Sequence, residues 1–319
     1  MPELPEVETI RRQLEPKLIG QIISDVQILS PKSFCGDPKK IIGQKIISLT
    51  RIGKQLSLNL SNNYTILAHF KMTGGLFFQP QKHTRVILKL SSRPSLSKRE
   101  TPTNVGEGDL KQKDIAPLST PSRVIARNPP IGGDEAIPSG SPRSARDDTN
   151  LYFSDLRKFG WLKLFTQAEL VESQKNLGPD ILSPDFTEKY FFKQLQSSSR
   201  PIKIFLLDQT KFAGIGNIYD CDSLFLSKIS PLTPAKTISL SKSNTLCRNL
   251  KKIMSESILH GGSTARDRGY LMPDGNDGRH QDYFLVYQRE NKKCFICNTK
   301  IKRIKQGGRS TFYCPKCQK

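Results

Sequence analysis

The sequence predicts an α+β protein: an N-terminal antiparallel β-sandwich led by one helix, a helical second half, and a four-cysteine zinc ribbon at the end. Three observations carry this. Apolar and polar residues alternate in short runs across the first 165 positions, the apolar period turns helical from Gln167, and two Cys-x-x-Cys pairs close the chain.

In order, Val7, Ile10, Leu14 and Leu18 form a helical stripe, with Arg11, Arg12 and Lys17 on the other face and Gly20 as a stop. Strand-like runs follow at Ile22 to Leu29, Lys45 to Leu60, Tyr64 to Phe70, Leu76 to Gln79 and Arg85 to Leu90. Alternation is clearest in Gln55-Leu56-Ser57-Leu58-Asn59-Leu60 and in residues 84–90, and short strands at turn-punctuated spacing indicate a sandwich or barrel. Residues 93–149 break the pattern. They contain no Phe, Tyr or Trp, are rich in Pro, Gly and Ser, and carry nearly balanced charge. Such a stretch cannot bury enough apolar surface to offset chain entropy, so a disordered insertion is expected between two paired strands. Leu151-Tyr152-Phe153 resumes the sheet, and its last strand ends near Phe165. Helices are expected at 185–197, 201–207, 217–227 and 237–259, with a mobile loop rich in Gly, Arg and Asp at 261–282. The predicted domains are therefore 1–165 (with the insertion), a linker at 166–182, a helical domain at 183–291, and a zinc finger at 292–319.

Lys and Arg outnumber Asp and Glu by 50 to 29 in 319 residues, a formal net charge of +21 that lies almost wholly outside the neutral insertion. That favours a polyanionic partner, nucleic acid before anionic membrane. Hydrophobic residues make up only 36%, which fits a chain with an unfolded segment. No apolar run is long enough to span a bilayer and the start lacks a basic-then-apolar signal, so a soluble intracellular protein is expected. In a reducing compartment, cysteines in Cys-x-x-Cys pairs mean metal rather than disulfides. Cys35, Cys221 and Cys247 are scattered.

Met1-Pro2-Glu3-Leu4-Pro5-Glu6 opens the chain. If Met1 is removed, Pro2 carries a free secondary amine able to attack an electrophilic carbon and pass into an iminium ion, with Glu3 and Glu6 beside it to move protons. The same residues also suit a helix start, since Pro and carboxylates favour the first turn. Cys294, Cys297, Cys314 and Cys317, with sixteen residues between the pairs, have the spacing of one tetrahedral Zn²⁺ site. All four ligands are cysteine and none is left open for water, so this zinc is structural. Between the pairs, Lys300, Lys302, Arg303, Lys305 and Arg309 stand beside Thr311, Phe312 and Tyr313, as in a basic ribbon laid against DNA. Gly214-Ile215-Gly216-Asn217 precedes a helix whose free N–H groups suit a phosphate, but it lacks the spacing of a nucleotide-cofactor loop.

Taken together, three segments resemble the formamidopyrimidine-DNA glycosylase branch of the helix–two-turn–helix base-excision repair family. They are Pro2 to Thr9, Gly214 to Tyr219, and Gly308-Arg309-Ser310-Thr311-Phe312-Tyr313-Cys314. The resemblance covers nearly everything except 93–149. It implies that Pro2 is the nucleophile on the anomeric carbon, that Glu3 protonates the deoxyribose ring oxygen, and that Lys54, His69, Asn217 and Arg309 grip phosphates around the lesion. It further implies that Met72, Arg157 and Phe159 fill the void left by a flipped base. An apolar wedge, a ring and a guanidinium suit lost stacking and an orphaned partner. The implied activity is excision of oxidised purines, 8-oxoguanine and formamidopyrimidines, from damaged double-stranded DNA, with strand cleavage by β,δ-elimination. The implied enzyme is a monomer, cytoplasmic and nucleoid-associated in a bacterium. Two alternatives stay open: an endonuclease VIII-like glycosylase for oxidised pyrimidines, and a non-catalytic zinc-ribbon DNA-binding protein. The 261–282 loop departs from the family's lesion-capping segment, which leaves base preference the least constrained.

Overall fold

The computed structural model describes residues 2–92, 149–264 and 269–319. Met1 and most of the 93–149 insertion lie outside the described residues.

Helix α1 (Leu4–Leu18) starts with Pro5 in its first turn, where the missing N–H costs nothing. Its buried stripe is divided between two cores. Leu4 packs with the helical half of the chain, whereas Val7, Ile10, Leu14 and Leu18 pack into the sandwich. Each fully buried aliphatic side chain contributes roughly 1.5–3 kcal/mol, so α1 is anchored from both sides. The residues preceding it are thereby fixed at the seam between the two halves.

Among the described residues, nine strands build the sandwich: β1 (Ile22–Ile28), β2 (Phe34–Cys35), β3 (Ile46–Ile52), β4 (Gln55–Leu60), β5 (Tyr64–His69), β6 (Gly74–Phe77), β7 (Thr84–Ser91), β8 (Thr149–Asp155) and β9 (Trp161–Thr166). One sheet runs β1-β7-β8-β6 and the other β2-β9-β5-β4-β3. All pairings are antiparallel except β2 with β9, a two-residue parallel contact not foreseen from the sequence. The expected single run from Lys45 to Leu60 is two strands, turned at Gly53-Lys54, with Ile52 opposite Gln55. The strands flanking the insertion are neighbours, Leu90 pairing with Thr149.

Residues 166–182, read as a linker, carry helix α2 (Gln167–Gln174), opened by a capping box in which Thr166 and Glu169 satisfy each other's backbone N–H groups. Then come α3 (Glu188–Gln196), α4 (Ile202–Leu206), α5 (Asn217–Leu226) and α6 (Leu240–Leu259). No helix among the described residues is long and apolar enough to cross a membrane. The chain ends in a ribbon, β10 (Lys302–Gln306) and β11 (Arg309–Tyr313). Its two-residue turn, Gly307-Gly308, has φ of +53° and +76°, the left-handed pair a tight hairpin requires. A third apolar cluster, with Cys221, Phe225, Val286, Ile301 and Phe312, fastens this ribbon to α5.

Candidate active site and nucleic-acid interface

Pro2 is buried and leads directly into Glu3, which is 1% exposed. The Glu3 backbone N–H donates to Glu6 Oε2 at 2.8 Å, an N-cap bond that orients the first turn. The Glu3 side chain leaves its own helix and crosses the seam. Ile218 N–H, in the first turn of α5, donates to Glu3 Oε1 at 3.2 Å. Glu3 Oε2 is buried with no hydrogen-bond partner among the described residues. One carboxylate oxygen is pinned, and the other is free for a reacting group. Gly216 makes this possible, because a Cβ there would lie 1.9 Å from Glu3 Cδ.

Glu6 holds the wall behind this site. Tyr219 Oη–H and the Ser263 N–H both donate to its Oε1, and Ser257 Oγ bonds Tyr219 Oη at 2.7 Å. Burial, with Glu3 nearby, pushes the Glu6 carboxyl above its ordinary range. The start of the chain, α5, α6 and the loop after α6 therefore meet in one buried network.

Lys54 enters from the β3–β4 turn. Its Nζ donates to Ile215 O at 2.7 Å, leaving two N–H groups for another acceptor. Burial lowers its pKa, Glu3 and Asp220 oppose that, and Arg309 adds to it. Lys54 and Arg309, from the two ends of the chain, thus share one electrostatic neighbourhood.

Asn217 opens α5. Its Nδ2–H donates to Ser310 O at 3.0 Å, one residue beyond Arg309, so the ribbon docks on the helix start. Buried Lys203 donates to Asn217 Oδ1 and sits 3.3 Å from Asp220, both charged groups being fully buried. Burial, partly offset by Lys203, raises the Asp220 carboxyl to about 7. At the ribbon tip a Cβ on Gly307 would press on Ile204 Cδ1 at 2.7 Å, so the hairpin leans on α4 and holds exposed Arg309 out.

His69 ends β5. Lys71 N–H donates to His69 Nδ1 at 3.2 Å, which leaves Nε2–H as a donor. Burial, with Lys71 and Lys54 adding, holds its pKa down to about 3, so the ring is a neutral donor at physiological pH. Met72 lies on the β5–β6 turn, and Arg157 and Phe159 on the β8–β9 turn. Arg157 N–H donates to Thr73 Oγ1 at 3.0 Å and Arg157 Nη1 approaches Met72 Sδ at 3.4 Å. Asp155 braces both turns, accepting from Thr73 Oγ1, Arg157 N and Gly160 N. Phe159 shares this turn and is 60% exposed, an aromatic ring held out toward solvent.

The Sγ atoms of Cys294, Cys297, Cys314 and Cys317 all lie within 4.8 Å of one another. Cys294 Sγ is 3.9 Å from Cys317 Sγ, and Cys297 Sγ 3.4 Å from Cys314 Sγ. Sulfurs bound tetrahedrally at ~2.3 Å stand ~3.8 Å apart, so the cluster fits Zn²⁺. The N–H groups of Ile296 and Cys317 point at Cys294 and Cys314 sulfurs, both at 3.4 Å, as suits thiolate ligands.

Three groups in this neighbourhood were not foreseen. Lys203 is a lone charge inside the apolar run Ile202-Lys203-Ile204-Phe205-Leu206, a signal that the sequence does hold. Asp220 and the Arg51–Asp180 pair carried none, because ordinary surface helices and turns have the same composition.

A sandwich and a helical half that meet at a buried Pro-Glu start, with a zinc ribbon docked on the start of α5, define a DNA glycosylase of the helix–two-turn–helix class. Family models bear this out: the formamidopyrimidine-DNA glycosylase N-terminal domain matches residues 1–101, the formamidopyrimidine-DNA glycosylase H2TH domain residues 177–268, and the zinc finger found in FPG and IleRS residues 291–319. The chain belongs to the formamidopyrimidine-DNA glycosylase family, a family of DNA repair enzymes, and its zinc is structural. It is 33% identical over 331 residues to the formamidopyrimidine-DNA glycosylase of Pelotomaculum thermopropionicum, covering 100% of this chain and 99% of that one. Identity to the Bartonella quintana enzyme is 34% over 334 residues, covering 100% of each. Among solved structures, the FPG protein of Thermus thermophilus superposes with a TM-score of 0.77 at 32% identity, covering 99% of this chain and 98% of that one. A Lactococcus lactis FPG variant bound to Fapy-dG-containing DNA gives 0.76 at 27%, covering 99% of each.

Proposed function

We propose that this protein is a bifunctional glycosylase and abasic-site lyase for oxidised purines, 8-oxoguanine opposite cytosine and formamidopyrimidines, in duplex DNA. The observation that carries this is the buried Pro2-Glu3 pair at the domain seam, with one Glu3 oxygen pinned by Ile218 N–H and the other unpartnered. With Met1 removed, the Pro2 nitrogen attacks C1′ and the glycosidic bond breaks, the base leaving with the proton that the amine gives up. Glu3 gives a proton to the ring oxygen, the C1′–O4′ bond opens, and the iminium forms. The iminium acidifies the C2′ proton. Its loss expels the 3′ phosphate, and a second elimination expels the 5′ phosphate.

Lys54, His69, Asn217 and Arg309 grip the phosphates around the lesion, His69 through its neutral Nε2–H. Met72, Arg157 and Phe159 enter the stack as the lesion flips out, a step costing a few kcal/mol. A void-filling triad is useful only where a partner base is orphaned, which favours duplex over single strand. The enzyme acts as a monomer on nucleoid DNA. With about five phosphates neutralised, log affinity should fall with log salt at a slope near about −4.5.

Borohydride trapping on an abasic duplex tests the chemistry. A covalent adduct that maps to Pro2 and disappears in Pro2→Gly is expected. Absence of any adduct from protein lacking Met1 would leave a DNA-binding protein without this chemistry. A panel of single-lesion duplexes tests the substrate, and faster release of thymine glycol than of 8-oxoguanine or formamidopyrimidine would move the enzyme to the oxidised-pyrimidine branch.

A further inference from the structure

Lys54 sits on a turn between two strands, a place where a side chain is usually loosely held. Here the turn is bolted to the other half of the chain. Asp180, from the segment between α2 and α3, accepts from the Gly53 backbone N–H at 2.7 Å. The same carboxylate takes both terminal nitrogens of Arg51, Nη1 at Oδ2 and Nη2 at Oδ1, the second at 3.2 Å. Arg51 spends its remaining donors on either side: Nη1 on Gly53 O at 2.9 Å and Nε on Glu8 Oε2 of α1 at 3.0 Å. The three side chains are 8 to 11% exposed, so this is a largely desolvated fork in which one guanidinium serves two carboxylates, Glu8 taking Arg11 and Arg12 as further partners.

The segment that carries Asp180 also holds the other side of the site. Ala213 N–H donates to Pro179 O at 3.1 Å, and Ile181 N–H to Ala213 O at 3.2 Å, a short bridge to the stretch that runs through Ile215 and Gly216 into Asn217. Gly53, at φ +56°, approaches that stretch so closely that a Cβ would lie 3.2 Å from Gly214 N. Lys54 then reaches Ile215 O. Asp180 and Arg51, with the backbone beside Asp180, thus join the turn bearing Lys54, helix α1 and the stretch before Asn217.

We infer that Asp180, acting through Arg51 and Gly53, is a positioning residue that sets Lys54 in register with Asn217 across the seam, so that the two grip neighbouring phosphates of one strand. The inference rests on the phosphate role of Lys54 proposed above. Both Asp180 oxygens are engaged within the protein, and a carboxylate has no N–H to offer a phosphate. Its removal leaves Lys54 present but free to swing with its turn, and a free lysine does not replace a held one at a fixed phosphate.

The test measures the affinity of the full zinc-loaded chain, lacking Met1, for a duplex with an uncleavable tetrahydrofuran abasic analogue across a salt series. Lys54→Ala should weaken binding and reduce the slope of log affinity against log salt by about 0.9, one phosphate contact. Asp180→Asn should reduce the slope by a similar amount and weaken binding about tenfold, and Asp180→Glu should restore most of both. In the double variant Asp180→Asn with Lys54→Ala, affinity should match Lys54→Ala alone within about twofold, because coupled groups are not additive. Arg51→Lys, which cannot serve Asp180, Glu8 and Gly53 together, is the second probe and should behave like Asp180→Asn if that variant fails to fold. Losses that multiply in the double variant, or an unchanged salt slope in both Asp180→Asn and Arg51→Lys, overturn the positioning role. An unchanged slope in Lys54→Ala overturns the phosphate role of Lys54, and the positioning role with it.

Discussion

Gly216→Ala isolates the placement of the Glu3 carboxylate from everything else in the site. Gly216 has φ −129° and ψ −176°, extended backbone that alanine adopts freely, so the substitution carries no conformational penalty. Its whole effect is the added methyl, which would lie 1.9 Å from Glu3 Cδ and 2.1 and 2.3 Å from the two oxygens. Ordinary contact starts near 3.4 Å, so the carboxylate must retreat by roughly 1.5 Å or the start of α5 must move. A retreat of that size breaks the bond from Ile218 N–H, 3.2 Å long at present. Leaving a buried polar group without its hydrogen bond costs ~1–3 kcal/mol. At about 2–4 °C per kcal/mol, the melting temperature should fall by about 2–12 °C. Chemistry should suffer more than stability, since displacing a reacting group by an ångström costs on the order of 100-fold in rate. Single-turnover cleavage of an 8-oxoguanine duplex, paired with affinity for an uncleavable analogue, separates the two effects. The expected result is a rate about 100-fold lower with affinity within about threefold of the parent. A folded Gly216→Ala protein cleaving within twofold of the parent rate would refute the idea that this contact sets the acid's position.

Cys297→Ser should release one zinc per chain, read with a metal indicator, and weaken lesion-duplex binding at least about tenfold, because Arg309 loses its support on α4 and Asn217. Tight binding by zinc-free protein would sever the ribbon from DNA recognition. Burial holds His280 down to about 4, so its neutral form stabilises the fold above the ordinary value near 6.5 and that contribution is lost as pH falls toward 4. Asp220, raised to about 7, runs the other way, its contribution falling as pH rises from about 4 to 7. Between pH 7 and 5, His280→Phe should therefore flatten the acid-side fall in melting temperature and Asp220→Asn should steepen it; parallel curves for all three proteins would rule out both assignments. Replacing residues 93–148 with a two-residue Asn-Gly turn should leave cleavage unchanged, since Leu90 and Thr149 are already paired. Stability should be similar or slightly raised, as a doubling of loop length costs only about 0.6 kcal/mol; a shortened chain that fails to fold would show that the segment packs on the core.

Much of the fold was legible because each half repeats one simple pattern. Leu56, Leu58 and Leu60 alternate with Ser57 and Asn59, and all three leucines are buried in the sandwich. The α1 stripe was equally plain, yet its division between two cores was not. Periodicity says which face is buried but not against what, and Leu4 belongs to a different core from Val7. The β3–β4 turn was hidden because Gly53-Lys54 is only two residues long and the apolar run passes through it. Strand β5 alternates poorly because α2 packs on the same sheet and residues Thr65 to Ala68 are all buried. The helix at 167–174 was assigned to the linker because about two turns with one buried leucine leave almost no periodic trace.

The site was legible to the extent that its chemistry is local in sequence. The four cysteines could be read from spacing alone, since a zinc knuckle closes within a few residues. The residues proposed to grip phosphates could be read only through resemblance, because nothing in a lysine after a glycine or an asparagine before a helix distinguishes it from many others. What sequence reading could not supply is why those residues converge. Lys54 belongs to the sandwich, Asn217 to the helical half and Arg309 to the ribbon, and they are joined one to the next by contacts that no motif announces. Asp180 joins the first to the second, and Asn217 Nδ2–H on Ser310 O joins the second to the third. These joints are single hydrogen-bonded groups whose partners lie 93 to 127 positions away. They have no local signature because only the folded chain brings the partners together. For the same reason, a substitution at the Asp180 joint should produce losses in binding and in salt slope similar to those from substituting Lys54, the residue it is proposed to position.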